Sequence, residues 1–135
     1  MRILYNILAY LAMPIVLVRL FIRSMRLEGY RKHLPERFGF VPKSSQPCIW
    51  FHAVSVGESI AAVPLVKRCL EAHSDCRIVV TNTTPTGRDR TQAALKGIVE
   101  NYYIPYDIPG ALQRFIRRVQ PKLLVLMETE LWPNL

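Results

Sequence analysis

Between residues 48 and 127 the chain alternates short apolar runs with segments of helical spacing, and this alternation leaves few folds open. Residues 48–52, Cys-Ile-Trp-Phe-His, read as a short buried strand. Residues 58–72 carry Ile60, Val63, Leu65, Val66, Cys69 and Leu70 at helical intervals. A second strand begins at 77–80, and Thr84-Pro85-Thr86-Gly87 opens a helix with a threonine cap and a proline in its first turn. Residues 101–105 form a third strand that stops at proline. Pro109-Gly110-Ala111 opens a third helix, with Leu112, Phe115, Ile116 and Val119 on its buried face and Arg114, Arg117 and Arg118 outward. Residues 122–127, with the unbroken Leu123-Leu124-Val125-Leu126, are the fourth strand. Continuous apolar strands are covered on both faces, as parallel sheets require. Four strands joined by three helices therefore predict right-handed βαβ units on an α/β, Rossmann-like parallel sheet.

The amino end is of another kind. Residues 3–22 contain one charge, Arg19, and one strongly polar side chain, Asn6. About 20 helical residues span about 30 Å, the thickness of a hydrocarbon core. The uncharged part, residues 3–18, is shorter, and Pro14 kinks or breaks it. Arg19, Arg23 and Arg26 stand where a signal peptide carries its small cleavage residues, so the segment reads as an anchor. Arg2 alone precedes it, whereas Arg19, Arg23, Arg26, Arg31, Lys32 and Arg37 follow, which places the rest of the chain on the cytoplasmic side. A helix that crosses the bilayer and an amphipathic helix lying in the cytoplasmic leaflet both fit this pattern.

Charge follows the same division. Residues 1–45 hold eight Lys/Arg against two Glu, and residues 46–135 hold ten against eight acids. A basic segment beside an apolar one points to an anionic membrane surface. No basic stripe with interleaved aromatics runs through the remainder, so nucleic acid is not the expected partner. The expected organisation is a membrane anchor helix at 1–22, a basic juxtamembrane segment and linker at 23–47, and a Rossmann-like domain at 48–135. Cys48, Cys69 and Cys76 show no CxxC spacing, and free thiols are expected. His33, His52 and His73 stand at no ligand spacing from them, so no metal or other cofactor is expected.

Ligands of open α/β sheets bind beyond the carboxyl ends of the strands, and four motifs fall there. The turn after the first strand, His52-Ala53-Val54-Ser55-Val56-Gly57-Glu58-Ser59, is neither GxGxxG nor a P-loop. It offers Gly57 for close approach, free N–H groups around Ser55 and Ser59, and Glu58 in the first helical turn. Glu58 reads either as an acid favouring a helix start, by about 0.3–1 kcal/mol, or as a proton acceptor facing a cleft. In the second turn, Thr84, Thr86 and Gly87 either hold an anion at a helix start or merely cap it. Tyr106 and Asp107 follow the third strand and line the same cleft. Glu128 and Glu130 follow the fourth, on one side if the strand persists, and such a pair serves as acid and base or holds a metal. The neighbouring Trp132-Pro133 argues for an ordered loop. The chain stops soon afterwards and reads as the front part of a larger enzyme, truncated after an active-site loop.

Taken in order, these motifs resemble a known family. The run Tyr30-Arg31 to Glu36-Arg37-Phe38-Gly39-Phe40, then His52 to Glu58, Thr83 to Gly87, Tyr103 to Asp107 and Met127 to Leu135, is similar to the Kdo transferases of Gram-negative lipopolysaccharide synthesis. These move 3-deoxy-D-manno-oct-2-ulosonic acid from CMP-Kdo onto the lipid A precursor. The resemblance implies the amino-terminal, acceptor-binding half of a GT-B glycosyltransferase, at the cytoplasmic face of the inner membrane. It further implies an inverting reaction with Glu58 as general base and Glu128 as a second essential carboxylate. Most of the donor site would lie in a second domain, so the fragment alone should be inactive. Two other readings stand beside it. One is a nucleotide-sugar or dinucleotide enzyme using the SVGES turn, which the missing glycines disfavour. The other is a membrane-tethered nucleotide-binding or acceptor-binding module without catalysis.

Overall fold

The computed structural model describes residues 2–26, 28–128 and 132–135. After helix α1 (Arg2–Arg26), strands β1 (Cys48–Ala53), β2 (Arg77–Asn82), β3 (Glu100–Tyr103) and β4 (Pro121–Leu126) alternate with α2 (Val56–Ala72), α3 (Pro85–Leu95) and α4 (Pro109–Val119). All strands are parallel, in the order β3-β2-β1-β4. The α/β, Rossmann-like sheet is thus as the alternation requires, with element ends moved by at most two residues. The chain builds outward from β1 through β2 to β3, and α4 then returns it to the far side of β1. That reversal creates a topological switch point between β1 and β4. The register of β4 slips where Pro121 enters it opposite Cys48, since proline cannot donate to the ladder.

Side chains alternate between the two faces. Phe51, Ile78 and Val80 pack with Val66 of α2 and Leu95 of α3. Cys48, Trp50 and Val79 pack with Phe115 and Val119 of α4, and the Trp50 and Phe115 rings lie 4.9 Å apart. Full burial of such a side chain stabilises by about 1.5–3 kcal/mol. Three helical positions differ from expectation. Ile60 and Leu65 of α2 and Ile116 of α4 are exposed, while Ala62 and Ala111 take buried places. An apolar residue beside the packed stripe satisfies the spacing without touching the sheet. Arg114 and Arg118 also do more than face outward. They donate to the carbonyls of Phe38 (2.6 Å) and Val41 (3.0 Å), fastening the preceding segment to α4.

That segment is itself folded. A 3-10 turn, Leu34–Phe38, buries Glu36, which accepts from Arg88 of α3 at 2.5 Å and from the N–H of Tyr103 at 2.8 Å. Gly39 follows at φ 79°, where a Cβ would stand 2.2 Å from the carbonyl oxygen of Ala111, so only glycine allows this approach to α4.

Helix α1 runs through Pro14 and beyond the apolar stretch to Arg26, and is long and apolar enough to cross a membrane. Leu4, Leu8, Leu11, Ile15, Val18, Ile22 and Met25 form an exposed stripe along it. Its other side touches the domain at a few points. The Tyr5 hydroxyl donates to Asp107 (2.7 Å), that of Tyr10 accepts from the N–H of Gly110 (3.4 Å), and Ser24 is buried. All three cysteines are free thiols.

Candidate active site

Strand β1 ends at Ala53, and Val54 and Ser55 turn the chain into α2. Ser55 caps the helix, its Oγ accepting the N–H of Glu58 at 3.2 Å. The Glu58 carboxylate reaches back to accept the N–H groups of Val54 (2.7 Å) and Ser55 (3.2 Å), completing a capping box. On the neighbouring strand, the N–H of Met127 donates to the carbonyl of His52 at 3.0 Å and sets Glu128 beside the same turn. The Glu128 side chain thereby stands close enough to Glu58 to act on its ionisation. Two acidic residues distant in sequence therefore meet at the switch point between β1 and β4, where such sheets bind ligands.

Burial pushes the Glu58 carboxyl up, but hydrogen bonds from Ser55, the Val54 and Ser55 N–H groups and Glu128 outweigh it and hold it below its ordinary value. Glu58 is thus ionised at neutral pH. A carboxylate offers about four lone-pair positions, and two of those of Glu58 accept the N–H groups of Val54 and Ser55. The capping and proton-accepting readings of Glu58 are accordingly compatible, because the cap aims the carboxylate.

The other expected residues have different surroundings. Gly57 is exposed, and a Cβ there would meet nothing nearer than Ser55 Oγ at 3.9 Å, so the fold itself does not demand glycine. Ser59 is buried; its hydroxyl donates to the Ser55 carbonyl (2.7 Å) and accepts from Asn82 (2.9 Å). Thr84 caps α3 by accepting the N–H of Gly87 at 3.2 Å, and its hydroxyl lies 3.3 Å from that of exposed Thr86. Gly87 is buried between the two helix starts, where a Cβ would stand 3.3 Å from Ser59 Oγ. Glu130 lies outside the described residues. Ser55, Gly57, Glu58 and Glu128 thus share one turn, while Thr84, Thr86 and Gly87 occupy the next one along the sheet edge.

Tyr106 and Asp107 line a cavity of about 220 Å³ with Tyr5, Thr83 and Trp132, and no residue of the Ser55–Glu58 turn lines it. Sequence reasoning missed what Asp107 ties together. Its carboxylate accepts from Tyr5 of α1 and from the N–H of Asn134 (3.2 Å), and its carbonyl accepts from the Asn134 side chain (3.0 Å). Asp107 therefore links the amino-terminal helix to the segment that follows β4. A larger cavity, about 490 Å³, opens among Pro47, Cys76 and Lys122 at the amino ends of the strands. That is the wrong end for a ligand of this sheet. Among the described residues no group of three or more His, Cys, Asp or Glu is placed to hold a metal ion.

Comparison with known proteins agrees with the motifs. A family model described as 3-deoxy-D-manno-octulosonic-acid transferase (kdotransferase) matches residues 32–135. A 3-deoxy-D-manno-octulosonic acid transferase of Haemophilus influenzae is 43% identical over 99% of this chain and 32% of its own. A probable mitochondrial 3-deoxy-D-manno-octulosonic acid transferase of Arabidopsis thaliana is 41% identical over 98% and 30%. The Bordetella pertussis transferase is 38% identical over 90% and 30%. The chain spans about a third of the length of these relatives. With the family match running from the buried 3-10 turn to the residues after β4, the chain belongs to the 3-deoxy-D-manno-octulosonic-acid transferase (kdotransferase) family.

Proposed function

We propose that this chain is the amino-terminal, acceptor-binding part of a GT-B enzyme that transfers Kdo from CMP-Kdo to the lipid A precursor with inversion. The observation that carries the reading is the meeting of Glu58 and Glu128 at the switch point. An acceptor hydroxyl hydrogen-bonded to Glu58 loses its proton as its oxygen attacks the anomeric carbon. The CMP leaves with the electron pair of the bond that breaks. Glu128, beside Glu58, serves as the second essential carboxylate in a positioning or electrostatic role. A carboxylate of lowered basicity suffices, because an oxocarbenium-like centre is strongly electrophilic. CMP-Kdo binds mainly to a second domain, in keeping with the share of the relatives' length that this chain spans. In the full-length enzyme Glu58→Gln keeps the shape and removes the proton acceptor. Turnover should fall about 10²–10⁴-fold with acceptor binding little changed. Near-normal turnover would leave Glu58 a helix cap, and would favour an acceptor-binding module whose chemistry lies elsewhere.

The same reading places α1 in the plane of the inner membrane, at its cytoplasmic surface. Tyr5 and Tyr10 in the first half of the helix and Ser24 in its last turn all touch the domain or pack inward. A crossing helix would carry Tyr5 about 20 Å or more from a cytoplasmic domain, at 1.5 Å per residue. The exposed apolar stripe then enters the leaflet side-on. A cysteine placed by Arg2→Cys should resist a membrane-impermeant thiol reagent applied from the periplasm. Labelling there would show that the helix crosses.

A further inference from the structure

Arg37 is a buried charge that none of these roles uses. It is only 4% exposed. One Nη donates to the carbonyl of Thr83 at 3.0 Å, and the guanidinium stacks 4.1 Å from the centre of the Tyr103 ring. Its Nε has no hydrogen-bond partner, and among the described residues no carboxylate lies within salt-bridge distance. Buried Arg88 is paired with Glu36, and half-buried Arg77 with Glu100. The adjacent Glu36 is already taken by Arg88, the N–H of Tyr103 and His33. A buried cation without a counter-charge is expensive, and an anionic ligand is what relieves it. The Thr83 hydroxyl beside it is also buried without a partner.

Both residues line a cavity of about 310 Å³ between α1 and the carboxyl ends of β2 and β3. Arg19 and Arg23 reach it from α1, and Thr84, the N-cap of the eleven-residue α3, faces it from the domain. Among the described residues no acidic side chain lines it. Three guanidinium groups, a buried hydroxyl without a partner and a helix start form a site for a compact, doubly charged anion.

We propose that this cavity binds a phosphate monoester, held by Arg37 and Thr83 from the domain and by Arg19 and Arg23 from α1. The site does not depend on sugar transfer, so a failed Glu58→Gln experiment leaves it intact. It does depend on α1 for its source of ligand. A helix lying at the membrane surface presents the cavity to phosphorylated lipid headgroups, whereas a soluble phosphate ester would use the same groups without the membrane.

Two titrations separate these sources. Inorganic phosphate is added to the protein in an uncharged detergent while Tm is followed. Binding is also measured to phosphatidylcholine vesicles doped with phosphatidic acid, a phosphomonoester, or with phosphatidylglycerol, a phosphodiester. A lipid ligand gives about tenfold tighter binding to the phosphatidic acid vesicles, the effect of one set of charge-assisted hydrogen bonds. A soluble ligand gives a phosphate-dependent rise in Tm with no preference between the vesicles. In either case Arg37→Gln should abolish the response. Arg23→Gln, at an exposed helical position that the core does not use, should weaken it and keeps the test valid if Arg37→Gln fails to fold. Arg117→Gln, exposed on α4, should leave the preference unchanged. Responses to phosphate and phosphatidic acid that are the same in wild type, Arg37→Gln and Arg23→Gln would overturn the proposal.

Discussion

Two strand-to-helix turns lie side by side at the carboxyl end of the sheet, built from similar parts, and only one presents its chemistry outward. After β1, Ser55 caps α2 and is followed by Gly57 and Glu58; after β2, Thr84 caps α3 and is followed by Gly87. Each cap oxygen accepts an N–H three residues on at 3.2 Å. The glycines differ. Gly57 is open to solvent, whereas a Cβ at Gly87 would stand 3.1 Å from Thr84 Oγ1 and 3.3 Å from Ser59 Oγ. The neighbours differ as well. Beside the first turn stands β4, whose end brings Glu128 beside Glu58. Beside the second stands β3, and Asn101 there donates to Asn82, which in turn holds Ser59 and the Ala53 carbonyl. Capping chemistry alone does not make a site. Adjacency to the switch point does, and the second turn buttresses the first.

The largest expected effect that separates the two turns is steric. Ser59 and Asn82 are buried and hydrogen-bonded to each other, so neither can yield to a methyl group at position 87. Gly87→Ala should destabilise by about 1–3 kcal/mol, as overpacking does. Gly57→Ala meets nothing, reduces the freedom of the unfolded chain, and should stabilise by about 0.5–1 kcal/mol. Denaturant midpoints at unchanged m-value measure both. The proposed acceptor site adds a sharper expectation, that Gly57→Ala lowers turnover of the full-length enzyme while raising stability. Equal midpoints for the two variants would erase the distinction between the turns.

Much of this architecture was legible because local signals repeat. The run Leu123 to Leu126, the Thr84-Pro85 start and the proline-marked third helix each announce their element without help from distant residues. Glu58 and Glu128 were legible as candidates because both follow strands. Their contact was not, since it depends on α4 carrying β4 back to the far side of β1. Ile60, Leu65 and Ile116 misled because helical spacing marks an apolar side of a helix without saying how wide a stripe its partner covers. Glu36 and Arg37 sit in a basic run that reads as solvated, and only tertiary contact with Arg88, Thr83 and Tyr103 reveals that both are buried. The contact of α1 with the domain rests on single hydroxyls, Tyr5 and Tyr10, in a segment whose composition speaks only of lipid.

The smallest expected effect is electrostatic, and it again separates the two turns. The cap of α2 contains an ionisable group and that of α3 a neutral hydroxyl. Against the cost of burial, the hydrogen bonds of Glu58 hold its folded pKa below the ordinary 4.5. A group with a depressed folded pKa contributes stability that is fully present above its unfolded value and is lost as pH falls through the folded one. The stability lost in Glu58→Gln should therefore be constant at neutral pH, begin to shrink near pH 4.5 and vanish at more acid pH. Because Glu58 is only half-buried, solvent screening keeps this difference small. Thr84→Ala, which removes a neutral cap worth about 1 kcal/mol, should show a loss that stays level over the same range. Denaturant midpoints of the two variants and the wild type across the acid limb decide the matter. A Glu58→Gln deficit as flat as that of Thr84→Ala would mean that the carboxylate's charge plays no part in the cap. The charge would then be retained at the switch point for chemistry alone.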